Sequence, residues 1–365
     1  MALGAAVTPA HAADPLALAG DPAHGQPIAL TTVDRLTLRP TGTPILEIPE
    51  PHGLPSVARG GQRLAIGVST SNPDPSQGRV GVQIVNVRRR TVSRAVATGI
   101  AAEAVEWYAS RRIAALLQDG RLVLINTVSG RIVATTSFGK LQCTYQSGQA
   151  AQGRAVFLVA RPGAPAVVAV ARKDSTMGRL TLPRVRFAGR RCQTRAMAGD
   201  GEYAYVSAPG TGSITRIRLA TMDVDVHRVP GLPGAATRQL AWARRGRLVV
   251  AGADASRPAG AVVVDTERWR ARSLDHDASA VRRVGPRVLT FGATSTLRAF
   301  GGPALRLLWT APTGRVTGDV QADDRGALIY ARTNTDAVVL DPRTGRMLAR
   351  PALASTARLN IIGGS

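Results

Sequence analysis

At 365 residues, with 44% hydrophobic and only 4% aromatic side chains, the chain exceeds the usual single core and lacks the stacking groups that nucleic-acid binding uses. Its formal charge of +23 is almost all arginine, Lys140 and Lys173 being the only lysines. Such a charge draws anions, although a GC-rich genome yields the same excess of Arg, Ala, Gly and Pro. No apolar run is long enough to span a bilayer as a helix, which argues against a membrane-embedded protein.

The chain begins MALGAAVTPAHAADP, where Ala10-His11-Ala12 has the small-x-small form of a signal-peptidase site behind the apolar stretch Met1 to Val7. Residues 1–12 are therefore expected as the remnant of a signal peptide that lacks its positive leading region. Residues 13–28 are expected as a flexible Ala/Pro-rich lead-in, and 29–365 as one domain of an exported, extracellular or envelope-associated monomer.

Asp34 to Glu50, DRLTLRPTGTPILEIPE, reads as a first hairpin turning at RPTG. Seven further paired apolar runs start at Val80, Arg121, Pro165, Gly212, Gly260, Ser295 and Asp336. The plainest are RLVLINTVSGRIVATTSF from Arg121 and DAVVLDPRTGRMLARPAL from Asp336, two apolar strands around a polar turn that closes on Gly-Arg. Ahead of each lies another matched segment, such as RRIAALLQD, GRAVFLVAR, EYAYVSAPG and GRLVVAGAD. Each repeat thus holds four short strands with period-two alternation, separated by Gly, Pro, Asp or Ser turns. The starts are 41, 44, 47, 48, 35 and 41 residues apart. A four-stranded unit at this period is the mark of a propeller blade, which buries its two apolar faces only by packing between neighbours. The expected fold is an all-β propeller of seven four-stranded blades. The alternative is eight, with Asp34–Glu50 joining C-terminal residues such as Ala357–Gly364 in a split closing blade that lacks one strand.

YAYVSAPGTGSITRIRLATMDVDVHRVPG, Tyr203 to Gly231, resembles the YVTN-type repeat of bacterial seven-bladed propellers, with Tyr205-Val206-Ser207 at the signature position. DPRTGRMLA, Asp341 to Ala349, resembles the Asp-x-x-Thr-Gly hairpin turn of that family and of the quinoprotein-like propellers. The resemblance implies an exported ring and carries no chemistry. Where the quinone-docking repeats would place Trp, this chain has Arg346 to Ala349, so no cofactor is expected.

Lettering the strands a to d from the axis outward, the a–b and c–d turns share one face and the d–a and b–c loops the other. The first set carries Arg88, Arg89, Arg90, Arg111, Arg112, Arg244 and Arg245, which predicts a basic face. The b–c loops, such as STSNPDPSQG and APGTG, are polar and lightly charged, the kind of surface on which a rigid ring presents binding residues. Cys143 and Cys192 each open an innermost strand in consecutive blades, where convergence toward the axis favours a disulfide closing a 49-residue loop.

None of the five histidines has a His or Cys partner at metal-ligand spacing, and Asp275-His276-Asp277 is too small a set to specify calcium. No Gly-x-Ser-x-Gly elbow occurs, and Gly210-Thr211-Gly212 opens no helix. Polar residues on or beside the innermost strands, Glu106, Arg195, Arg238, Gln239, Arg282 and Asp319, are the candidate binding groups at the channel and loop face. The sequence therefore favours an exported binding scaffold without catalysis. Its expected partners are a protein or glycan at the loops and an anionic envelope surface, not nucleic acid. A lactonase-like or other hydrolytic ring with its site at the channel mouth is the alternative.

Overall fold

The computed structural model describes residues 14–20, 28–48, 50–58, 62–69, 80–92, 95–139, 149–151, 153–161, 164–187, 197–254, 257–292, 295–317, 320–323, 326–353 and 358–362. Among them are 33 strands and no helix, arranged as eight antiparallel sheets in a propeller ring. The preferred count of seven blades is thus corrected to the alternative of eight.

The closing blade is built from both ends of the chain. It contains β1 (Leu16–Gly20), β2 (Ile28–Thr32) and β3 (Leu46–Ile48), with β33 (Arg358–Ile361) on the inner side of β1. Leu18 pairs with Asn360 and Ala17 with Ile361, so the last strand locks the first. Two sequence expectations change here. The stretch expected as a lead-in supplies strand β1, and the split blade has all four strands. Asp34–Glu50 provides the c–d turn and β3, whereas strand c is β2, just upstream.

Blade one has β4 (Glu50–Val57), β5 (Arg63–Ser69) and β6 (Gly81–Asn86), with its outer edge split into β7 (Thr91–Val92) and β8 (Val96–Ala97). Blade two is β9 (Ala102–Ala109), β10 (Arg112–Leu117), β11 (Arg121–Asn126) and β12 (Arg131–Ser137). Blade three is β13 (Gln149–Ala151), β14 (Arg154–Arg161), β15 (Ala164–Arg172) and β16 (Met177–Leu182). Blade four is β17 (Met197–Gly199), β18 (Tyr203–Val206), β19 (Ser213–Arg218) and β20 (Val224–Arg228). Blade five is β21 (Thr237–Arg244), β22 (Arg247–Asp254), β23 (Arg257–Asp265) and β24 (Arg270–Asp275). Blade six is β25 (Ala280–Val284), β26 (Arg287–Phe291), β27 (Thr296–Gly301) and β28 (Arg306–Pro312). Blade seven is β29 (Val320–Ala322), β30 (Ile329–Arg332), β31 (Ala337–Leu340) and β32 (Met347–Ala349).

The core is distributed as eight apolar clusters, one in each interface between neighbouring blades. Strand periodicity produces this arrangement directly, because successive side chains leave opposite faces of a sheet. On β11, Leu122 and Leu124 pack toward blade three, whereas Val123 and Ile125 pack toward blade one. On β15, Val167 and Ala169 face blade two, and Val168 and Val170 face blade four. A middle strand is therefore apolar along its whole length, and no blade has a core of its own.

The recurring phrase is explained by one backbone conformation. In every blade the residue that closes the c–d turn has positive φ: Leu38, Arg90, Gly130, Ser175, Met222, Trp269, Leu305 and Gly345. In five of these turns its N–H returns to the carbonyl four residues back, as from Gly130 to Asn126, Met222 to Arg218, and Gly345 to Asp341. Asp34, Asn126, Asp265 and Asp341 open their turns by accepting backbone N–H groups two and three residues on. Only two blades fill the left-handed position with glycine, which suffers no Cβ clash there. Those two carry the Gly-Arg phrase.

Candidate binding surfaces

Strand a has one edge without a ladder partner, so its N–H groups need other acceptors. Side chains from the preceding blade supply them. Ser56 Oγ accepts the N–H of Trp107 at 2.7 Å, Gln239 Oε1 that of Val281 at 3.4 Å, and Gln321 Oε1 that of Ile361 at 2.7 Å. Gln239, a candidate binding group, therefore stitches blade five to blade six.

Glu106 lies on β9 beside the same stitch and takes a long hydrogen bond of 3.4 Å from the Ser56 hydroxyl. Burial pushes its carboxyl up to about 7, against a smaller downward pull from that hydroxyl. A proton acceptor near neutrality is half of an acid–base pair. Among the described residues, no cluster of three or more His, Cys, Asp or Glu side chains forms that could hold a metal ion. Arg282 is half-buried on β25, and Arg195 and Asp319 lie outside the described residues, as do Cys143 and Cys192.

Arg238 is 2% exposed. Its guanidinium donates to Ser207 Oγ at 3.0 Å and to the carbonyls of Ala208, Thr211 and Pro233 at 2.9, 2.6 and 2.6 Å. It holds the b–c loop of blade four against blade five. The Asp275-His276-Asp277 loop is likewise occupied by protein: Asp275 accepts from Thr290 Oγ1 and Arg298, and Arg298 also meets Asp277 at 2.9 Å.

At the opposite end, arginine divides into two kinds. Strand b begins with Arg63, Arg112, Arg154, Arg247 or Arg287 in five blades, all half-buried. Two of them reach the next blade's a–b turn, Arg63 to the Ser110 carbonyl at 3.0 Å and Arg154 to that of Gly201 at 3.4 Å. Arg112, placed on the basic face by the sequence, belongs to this inward set. Arg88, Arg89, Arg90, Arg111, Arg244 and Arg245 are exposed. Several acids at this end fold back on their own turns: Asp34 and Asp174 are held below the usual carboxylate range, first by backbone N–H groups of Thr37 and Thr176 respectively.

This end also holds a cleft of about 650 Å³ between the outer parts of blades five and six. Arg247, Arg268, Arg270, Arg272 and Arg306 line it, with Asp265 as the sole acid. Asp265 is bound to Arg247 at 2.5 Å. Arg270, Arg272 and Arg306 were not singled out from the sequence. The signal was present in the alternation Arg270-Ala271-Arg272, but the cleft depends on a turn from the next blade.

No family model and no curated protein matches the chain. Solved structures similar to it include the dihydro-heme d1 dehydrogenase NirN in complex with DHE, at 17% identity and a TM-score of 0.61, covering 96% of this chain and 76% of that one. BamB from Moraxella catarrhalis matches at 11% identity and a TM-score of 0.53, covering 86% and 91%. At these identities the likeness is one of fold.

Proposed function

We propose that this protein is an exported binding ring that uses its arginine-bearing end on an anionic envelope surface and its b–c loops for a protein or glycan partner. The observation that carries the reading is the orientation of charge: exposed arginines project from the a–b and c–d turns, while acids such as Asp34 and Asp341 bend back onto their own backbone. Rigidity of the ring supports it as well, since the stitches along strand a and the double-ended closing blade tie neighbouring blades together. Among the described residues no group of three or more His, Cys, Asp or Glu side chains gathers to hold a metal ion, so a metal-dependent hydrolytic site has no support there. At 17% identity the NirN likeness is one of fold and carries no activity to this chain. No helix among the described residues is long and apolar enough to cross a membrane.

The test is retention of the full chain on anionic vesicles or anionic cell-wall polymer across a salt series, with neutral vesicles as control. Retention should fall steeply between low and physiological ionic strength. It should also weaken when Arg88, Arg89, Arg244 and Arg245 are changed together to Ser. Retention that ignores salt overturns the electrostatic reading.

A further inference from the structure

The cleft between blades five and six combines two features. Its walls are cationic and its floor is apolar. Arg268, Arg270, Arg272 and Arg306 are all exposed around it. Beneath them lie Phe300 and Leu305, at 4% and 3% exposure, while Leu307 projects at the rim with 55% of its surface open. Gathering five guanidinium groups around one carboxylate, itself committed to Arg247, leaves uncompensated repulsion that an anion in the cleft would relieve.

We propose that this cleft docks an extended acidic segment of a partner protein, in which carboxylates meet the arginines and alternating apolar side chains settle toward Leu274, Leu305 and Leu307. The proposal goes beyond the binding-ring reading, on which it rests, by adding a protein-docking site at the arginine-bearing end. Three features select a peptide over other anions. A bilayer surface is flat and does not reach the floor of a concave cleft. Single-stranded nucleic acid uses stacking platforms, and the one aromatic lining residue, Phe300, is buried. A bare polyphosphate would leave Leu307 in water. The cleft runs beside β24 and β28, the outermost strands of their sheets, and six residues of β24 extend about 20 Å at roughly 3.3 Å per residue. A strand-like segment of about six residues therefore matches β24, and an eight-residue peptide covers it with a residue to spare at each end.

The experiment measures fluorescence anisotropy of the full chain with a labelled eight-residue peptide of alternating Leu and Asp. A Ser and Asp peptide of equal charge is the first control. The double variant Arg270→Ser/Arg306→Ser removes cleft charge, and Arg88→Ser/Arg89→Ser removes the same charge from blade one. Expected results are a tenfold or greater loss for the cleft variant, less than twofold for the distal one, and several-fold weakening by Leu307→Ser. The Ser and Asp peptide should bind at least tenfold more weakly. Thermal melting shows whether each variant is folded, and Leu307→Ser, at an exposed site, tests the apolar rim independently of charge. Equal losses in the two double variants, or equal binding of the two peptides, overturn the proposal in favour of general electrostatic attraction. Tighter binding of soluble polyphosphate than of the peptide, with full displacement, overturns it in favour of a polyanion site. If peptide binding fails while salt-dependent retention on anionic surfaces persists, only the cleft assignment falls; if both fail, the binding-ring reading falls with it.

Discussion

The side-chain oxygen of Gln321 accepts the backbone N–H of Ile361 at 2.7 Å, while its amide nitrogen donates to Asn360 Oδ1 at 3.3 Å. One glutamine on blade seven thus holds the strand that closes the ring. Ile361 is 6% exposed, so its N–H has little access to water if that acceptor is removed. Gln321→Leu is expected to lower stability by about 1–3 kcal/mol, the usual penalty for orphaning a buried donor. The measurement is a urea midpoint with the slope unchanged, and no shift would remove the stitch from the account of closure.

The left-handed c–d turn gives opposite outcomes at two equivalent positions. Ser175 has φ of 71° without the benefit of glycine, and Ser175→Gly should stabilise by about 0.5–1 kcal/mol, a part of the roughly 1–2 kcal/mol that this region costs an ordinary residue. Gly345 has φ of 72°, and a Cβ there would lie 2.6 Å from the Trp309 ring of the preceding blade. Gly345→Ala should therefore cost more than the conformational term alone, on the order of 2–3 kcal/mol. Thermal melting of the pair decides it, and equal signs would refute the common turn geometry.

Arg238 is predicted to be structural. Its buried guanidinium carries bonds to four residues, and Arg238→Met should destabilise by about 3 kcal/mol or more through the carbonyls it abandons. Arg238→Lys should rescue only part, because an ammonium does not span the fork. Unchanged stability in both variants would return Arg238 to the list of ligand-binding groups.

Glu106 predicts a pH dependence of unusual sign. Its folded pKa, about 7, lies above the ordinary value of 4.5, so the native state holds the proton more tightly than the unfolded chain. Its contribution is fully present below pH 4.5 and is lost as pH rises through 7. Glu106→Gln should flatten this dependence and raise stability at pH 8, by about 2 kcal/mol. Denaturant titrations at pH 5 and pH 8 are the check. An equal change at both pH values would show that the carboxyl is hydrated and unshifted.

Much of the fold was legible because strands write their burial with period two. RLVLIN, VVAV and RLVV announce middle strands whose alternate side chains face different neighbours, and the 40-residue spacing marks the blades. The blade count was not legible in the same way. LALAG and IALTT are short and weakly patterned, and they become strands because the C-terminal RLNI lies alongside. The turn phrase was visible only at Gly130 and Gly345, since Leu38, Met222 and Trp269 adopt the same conformation without glycine and so leave no mark.

The candidate groups divide by the same logic. Composition alone determined that the surface is rich in arginine, and turn placement determined that much of it gathers at one end. Only the tertiary structure decided which arginines face water. Arg88 and Arg244 are free of the interfaces, whereas Arg238 and Arg154 spend their donors on carbonyls of another blade or loop. A sequence lists side chains along a line and so fixes periodicity and local turns. A cleft between blades five and six, or the closure of β33 on β1, arises from segments brought together by burial, and those partners are set by packing around the ring.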